Sequence, residues 1–546
     1  MKLLLLAVFA TAAVFAFPQD INSNLANNDA ALPNLQKDIQ DKTDKTKQNT
    51  IAVNAAVKAT NAKLDQLEAI ATTMEADLDT MWLVLGAALV FLLTIGLGLI
   101  EAAAARRSSR GQIFVKNIAI AGIVAIMWWT CGYGVAYGAR ITGNQDASGM
   151  EGSTFQSDNV KSSDNAFVGN GKVFMSNDGQ VEQREFANWA YSYTIAVLAT
   201  IVATSALTDR GTLTAYVVIA VAFSGGIYPI IVHWVWADNG WLSARNPAGS
   251  LGTNGMIDGS GSGVWALIGA AVSLVTTYFA GPRLRRFDVS FNKANPGAFQ
   301  SGNKVYQGLG TIFLWVGFYG LTCVSTNLSG GRAQIVVKVA ANTTLAAAGG
   351  ALLAFILDSL FGEPTLDMVH LSSHPEDLDA KVKRTDIRVT LNGVIAGLVA
   401  VAAGVATYEL WASFVVGAVG GVIAYYGPRL VAYMGIDDPV DTFSIFGLSG
   451  LAGLFSVGWL ARSENLTRAY KQNNMPFGIW YGGSAEQWGL QLFGGGAILL
   501  FGLGLGLLLT LGLRYFNVLR VSNEEEARGI TFPYPNKESE QEMKTK

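Results

Sequence analysis

Eleven apolar segments, each close to or above the length that carries a helix across a bilayer, follow one another between Met81 and about residue 513. They read as 81–101, 113–138, 187–207, 212–236, 259–281, 304–324, 334–357, 389–407, 411–434, 441–461 and 486–513. Inside hydrocarbon every backbone N–H and C=O must find its partner within the protein, and segments of this length do so as helices. The fold class is therefore all-α, a polytopic membrane protein. Only 14% of residues are charged, against roughly a quarter in soluble proteins. Many of the 61 glycines lie inside the segments, where small residues let helices approach closely in lipid. A net charge of −3 gives nucleic acid no electrostatic reason to bind.

The apolar series is preceded by two regions of different character. Residues 1–16 have a basic start at Lys2, an apolar run too short to span, and small residues at Val14 and Ala16. This is the pattern of a cleaved signal peptide, with an uncleaved anchor as the other reading. Within 17–80, Val53, Val57, Thr60, Leu64, Leu67, Ala71, Met74 and Leu78 alternate spacings of four and three. That seam predicts a coiled-coil stalk able to associate with copies of itself, or a lone amphipathic helix lying on its own membrane domain. The seam extends back more weakly through Ile39, Thr43, Thr46 and Thr50.

Basic residues set the orientation. Arg106, Arg107 and Arg110 follow the first segment, Arg283, Arg285 and Arg286 follow the fifth, and Lys381, Lys383, Arg384 and Arg388 precede the eighth. Short basic loops stay in the cytosol, which puts the N-terminus outside and the C-terminal tail, 516–546, inside. The long 139–186 loop and the sequons at Asn327 and Asn465 then face outward. The stalk is available there to an extracellular partner.

The chain lacks the usual marks of an enzyme or an ion-coupled pump. No nucleophile–base pair, metal-ligand cluster or phosphate loop is present, so neither cofactor nor metal is expected. Intramembrane transport paths are commonly marked by ionisable residues, yet Glu101, Lys116, Asp258, Lys304 and Asp358 all fall near segment ends. Lys338 is the deepest, and its long stem would let it snorkel to the headgroups. A channel for a small, nearly neutral species fits this pattern better than a pump.

A set of short motifs adds a resemblance. His233-Trp234-Val235-Trp236 is followed by Asp258 and Gly261-Ser262-Gly263-Val264, then by Gly310-Thr311-Ile312-Phe313-Leu314-Trp315-Val316-Gly317-Phe318-Tyr319-Gly320. Ala341-Asn342-Thr343-Thr344, Ile436-Asp437-Asp438-Pro439-Val440-Asp441 and Leu519-Arg520-Val521 complete the series. In this order, over residues 81 to about 530, the chain resembles the ammonium transporter family with its Rhesus branch. The resemblance implies a homotrimer with one narrow pore per subunit, built from two five-helix halves in an inverted repeat plus an eleventh helix.

Carried over residue by residue, the family's pore is only partly present. The outer vestibule, which recruits ammonium by cation–π contact, resembles Trp236, Ser325 and Tyr191, and the structural carboxylate resembles Asp258. Trp236 reads equally as an interfacial anchor. The two phenyl gate positions hold Ile195 and Leu321, and the two mid-pore histidine positions hold Ala266 and Phe446. The chain's three histidines are His233, His370 and His374, none of which falls at either position.

An imidazole exchanges protons near neutral pH; alanine and phenylalanine cannot. Moving a cation into an apolar tube without polar partners costs at least several kcal/mol. The sequence therefore leaves two readings. One is an ammonium or ammonia channel with a histidine-free pore. The other is a non-conducting trimeric scaffold or sensor acting through its stalk. Phe446 bears on both, because its ring is large enough to fill the space beside Ala266.

Overall fold

Runs of Leu, Val, Ile and Ala interleaved with Gly give segments whose backbone bonds close internally, and helices account for most of the chain. The protein is described by a computed structural model that covers residues 32–138, 167–169, 174, 183–246, 255–288, 303–325, 333–362, 386–470, 472 and 475–528. The candidate signal peptide, most of the 139–186 loop, Asn327, His370, His374 and the end of the tail lie outside these residues.

The helices are α1 (Leu32–Ala104), α2 (Arg110–Met127), α3 (Tyr133–Tyr137), α4 (Gln183–Ser205), α5 (Leu213–Ala222) and α6 (Tyr228–Trp236). They continue as α7 (Ile268–Ala280), α8 (Lys304–Val324), α9 (Ala333–Phe361), α10 (Ile387–Val401) and α11 (Leu410–Tyr433). Last come α12 (Ser449–Leu460), α13 (Ser463–Tyr470), α14 (Glu486–Tyr515) and α15 (Asn523–Arg528). Wider π-helical turns join α2 to α3 and α5 to α6, and π-helical segments at Ser262–Leu267 and Phe443–Leu448 lead into α7 and α12.

Among the described residues, ten helical stretches are long and apolar enough to cross a membrane. Where the eighth was expected, over 389–407, α10 is shorter, at 15 residues. The α-helical bonding pattern ends at Val401, although Ala402 keeps helical backbone angles, and the carbonyls that follow are used elsewhere. Those of Ala402 and Ala403 accept the amides of Ser260 and Gly259 at 3.0 and 2.8 Å.

Two compact units make up the chain, divided between Met74 and Glu75. The described part of the first is helical, and its seam faces solvent: Val53, Val57, Leu64, Leu67 and Met74 are all exposed. The second holds the packed bundle. There glycines set helix distances. A Cβ on Gly96 of α1 would lie 2.6 Å from the Gly310 carbonyl oxygen of α8, and one on Gly417 of α11 would lie 2.0 Å from the Ala346 oxygen of α9. Side chains at such points would force the helices apart.

Polar ties fix the bundle where the basic loops emerge. Asp437 accepts from the Arg283 backbone N–H at 2.9 Å, Nε at 2.8 Å and Nη2 at 2.9 Å, and from Arg210 Nη1 at 3.2 Å. These hydrogen-bonded arginines hold the Asp437 carboxyl well below the usual range, overriding the upward push of burial. Arg210 in turn receives the Val521 N–H on its carbonyl at 3.0 Å, and Arg520 donates to Glu526 at 2.7 Å and to the Ala280 carbonyl at 2.7 Å. The Ile436–Asp441 and Leu519–Val521 motifs are thus parts of one lock.

One sequence expectation is refined, since Glu101 and Lys116 do lie near helix ends, and two change. Glu101 and Lys116 form an ion pair at 2.7 Å in which both side chains are buried, and Asn117 adds a bond to Glu101 at 2.8 Å. Pairing makes that burial tolerable. Lys338 does not simply snorkel; it donates to Glu409 at 3.0 Å and to Asn465 Oδ1 at 3.1 Å. The Asn465 amide is buried and donates to Thr407, Tyr408 and Glu409, so this sequon offers no accessible nitrogen for glycosylation.

Candidate transport pathway

The two π-helical segments are built alike. Asp258 precedes the first. Its carboxylate accepts the amides of Gly261, Gly263 and Val264 at 3.1, 2.8 and 2.9 Å. Asp438 precedes the second and accepts the Phe443 amide at 2.9 Å. Three residues after each aspartate the backbone is left-handed, at Gly261 (φ 89°) and Asp441 (φ 56°). Glycine and aspartate are among the residues that tolerate this region. Eight residues after each aspartate stand Ala266 and Phe446. Burial pushes both carboxyls up to about 6, opposed at Asp258 by the backbone amides and reinforced at Asp438 by Asp441.

The segments start from opposite ends of α10. Beyond its C-terminus, Ala402 and Ala403 bond to the Asp258 loop. At its first turn Arg388 bonds to Asp441, and Asn392 also donates to Asp441 at 2.9 Å. The two copies of the motif therefore enter the bundle from opposite ends and meet inside it. At the meeting point the indole of Trp265 stands edge-on to Phe446 and to Phe318, with ring centroids 6.0 Å apart in each case. Ala266, Trp265 and Phe446 are all buried. Continuing from Ala266 in the π-helical segment into α7, the face carries Ala270, Ser273 and Thr277. A Cβ on Gly447 would lie 3.2 Å from the Ala270 methyl, which turns this face toward the Phe446 segment. The hydroxyls of Ser273 and Thr277 are buried and have no hydrogen-bond partner among the described residues.

The other residues singled out from sequence are gathered at the Asp258 end. Trp236 is buried and donates its indole N–H to the Asp258 carbonyl at 2.7 Å. The Trp265 indole donates to the Ser260 carbonyl at 2.9 Å, and the Ser260 hydroxyl lies 2.8 Å from that of Ser325. Tyr191 on α4 donates to the Leu321 carbonyl at 3.0 Å, which joins the helix carrying Ile195 to the helix carrying Leu321. Both aliphatic residues are buried. His233 lies apart, its Nδ1 2.8 Å from the Ala136 carbonyl.

Sequence reasoning missed Trp265, although it adjoins Ala266. It also missed the bare hydroxyls of α7. The signal that could have found them was the shared spacing from Asp258 and Asp438, which marks both segments and points along one face of α7.

Fold and pathway together define a polytopic α-helical membrane protein in which two matched segments converge on a buried centre. The chain matches the Ammonium Transporter Family over residues 81–373 and 378–533, and belongs to that family. It is 27% identical over 460 residues to Ammonium transporter 3 of Dictyostelium discoideum, covering 84% of this chain and 93% of that protein. It is 28% identical over 480 residues to Ammonium transporter Amt2 of Archaeoglobus fulgidus, covering 86% and 91%. In fold it is similar to a Sensor Amt Protein, with a TM-score of 0.65 at 22% identity over 85% of this chain and 100% of that one. Mep2 of Candida albicans is comparable, with a TM-score of 0.63 at 20% identity over 82% and 87%.

Proposed function

We propose that this chain is a homotrimeric channel for ammonium or ammonia whose pathway works without paired imidazoles. In this reading eleven membrane helices, α10 included, form an inverted five-plus-five repeat. The N-terminal stalk stands outside, and the tail lies in the cytosol. The observation that carries the reading is the convergence of two matched segments on Ala266 and Phe446, in a chain whose relatives are ammonium transporters.

Trp236, Tyr191 and Ser325 form the outer mouth, Ile195 and Leu321 the gate, and Asp258 the brace that aims the first segment. Ammonium gives its proton to the outside water at the mouth, because no group at Ala266 or Phe446 replaces its hydration. Ammonia loses far less on dehydration, and beyond the aromatic centre the Ser273 and Thr277 hydroxyls offer it hydrogen bonds.

One observation favours a second reading, a non-conducting scaffold or sensor that acts through its stalk. Trp265 and Phe446 fill the space where the segments meet. Proteoliposomes decide between the two. On mixing with ammonium chloride, the first reading expects the interior to alkalinise faster than in empty vesicles. Equal rates would leave only the scaffold or sensor.

A further inference from the structure

A cavity of about 310 Å³ opens at the Asp438 end of the bundle, lined among others by Arg283, Arg286, Arg388, Arg429, Asp438 and Ser444. Two of its arginines are neutralised. Arg283 is held by Asp437 at 2.8 Å, and Arg388 by Asp441. Arg429 is different. It lies 3.8 Å from the Tyr425 ring centroid and donates to the Tyr425 carbonyl, with no carboxylate in ion-pair reach among the described residues. Arg286 is half-buried and reaches Asp437 at 3.3 Å through Nε, an oxygen that Arg283 Nη2 already holds at 2.9 Å.

Deeper in, the Ser444 hydroxyl is fully buried and has no hydrogen-bond partner among the described residues. Asp438 Oδ1 is likewise buried without a partner, while its Oδ2 holds the Phe443 amide. A bare hydroxyl and a bare carboxylate oxygen at the base of an arginine-bearing cavity form an unusual set. Guanidinium groups suit the oxygens of an oxyanion. A carboxylate repels one, unless the anion carries a hydrogen that the carboxylate can accept.

We propose that this cavity binds a protonated phosphate, either inorganic phosphate or the phosphomonoester of a lipid headgroup. Arg429 and Arg286 grip its charged oxygens, Ser444 bonds to it at the base, and Asp438 accepts its P–OH hydrogen. Sulfate has the same shape and charge as hydrogen phosphate but no hydrogen at neutral pH, so Asp438 excludes it. Ser444 lies two residues before Phe446 on the same turn, which places the anion against the segment that carries the pathway's centre. The inference does not depend on whether the pathway conducts.

The test uses the full chain in phosphatidylcholine nanodiscs at neutral pH, with binding followed by calorimetry against inorganic phosphate and against sulfate. Phosphate is expected to bind saturably and sulfate at least about tenfold more weakly, since a bond to a charged group contributes that much. Arg429→Gln should lose phosphate by a similar factor while the variant still folds and unfolds cooperatively without anion, at a midpoint lowered only by the loss of its contacts to Tyr425. Asp438→Asn should narrow the gap between the two anions. A second arm replaces part of the lipid with phosphatidic acid and counts retained lipids by native mass spectrometry. Retention that Arg429→Gln abolishes, without binding of free phosphate, would assign the site to a lipid headgroup. Neither form binding, binding indifferent to Arg429→Gln, or sulfate binding as tightly as phosphate would overturn the proposal.

Discussion

Phe446 and Trp265 face each other edge to ring where an ammonium pathway would need polar groups. The two rings are held unequally. The Trp265 indole N–H is anchored on the Ser260 carbonyl, so the indole cannot swing aside without breaking a buried bond. Phe446, a buried phenyl ring, has no such polar tether. Replacing it with alanine should raise the rate of ammonia-driven alkalinisation and cost about 3–5 kcal/mol of stability through the cavity left behind. A slower rate in a folded Phe446→Ala variant would show that the ring is part of the path and not its obstruction. The identities at positions 266 and 446 could be read from the sequence through the family's motifs. What fills the space between them could not, because it depends on a rotamer of Trp265 that three-dimensional packing selects.

Asp258 and Asp438 show how one local device is used twice. Each sits outside a membrane segment, turns the chain through a left-handed residue three positions on, and receives amides that start a π-helical turn. The long apolar stretches made the helices legible from hydropathy alone. The early end of α10 was not legible, because it goes with carbonyls of Ala402 and Ala403 being claimed by a loop far away in sequence. The same limit hid the lock around Asp437, whose partners Arg210 and Arg283 come from separate connections.

That lock has a pH signature. The Asp437 carboxyl is depressed in the folded protein, so its contribution is fully present above the unfolded value of about 4 and fades as pH falls below it. The thermal midpoint in detergent should drop between about pH 5 and pH 3, and the drop should shrink in Asp437→Ala. The variant itself should lose about 3–5 kcal/mol at neutral pH, because it leaves buried arginines without their partner. A midpoint unaffected by the substitution would remove Asp437 from the account of stability.

At the scale of the whole molecule, the stalk and the bundle obey different rules. The bundle covers its own centre and leaves some buried polar groups bare among the described residues, Ser273, Thr277, Ser444 and Asp438 included. The stalk leaves its seam of Val53, Val57, Leu64, Leu67 and Met74 exposed, and an isolated helix gains little stability in water without a partner. A peptide of residues 39–79 should be helical and trimeric at high concentration by analytical ultracentrifugation. A monomeric, unfolded peptide would count against self-association as the role of the seam.

Whether the pathway carries a neutral species is tested most directly by the voltage dependence of ammonia-driven alkalinisation in proteoliposomes. One charge crossing about 100 mV exchanges about 2.3 kcal/mol with the field, so a charged route must respond strongly to an imposed potential. The account predicts a protein-dependent rate that is the same at zero potential and at an inside-negative potential of about 100 mV. A rate that changes with the potential (falling as ammonium entry brings its proton inside), or one no faster than in empty vesicles, would contradict it.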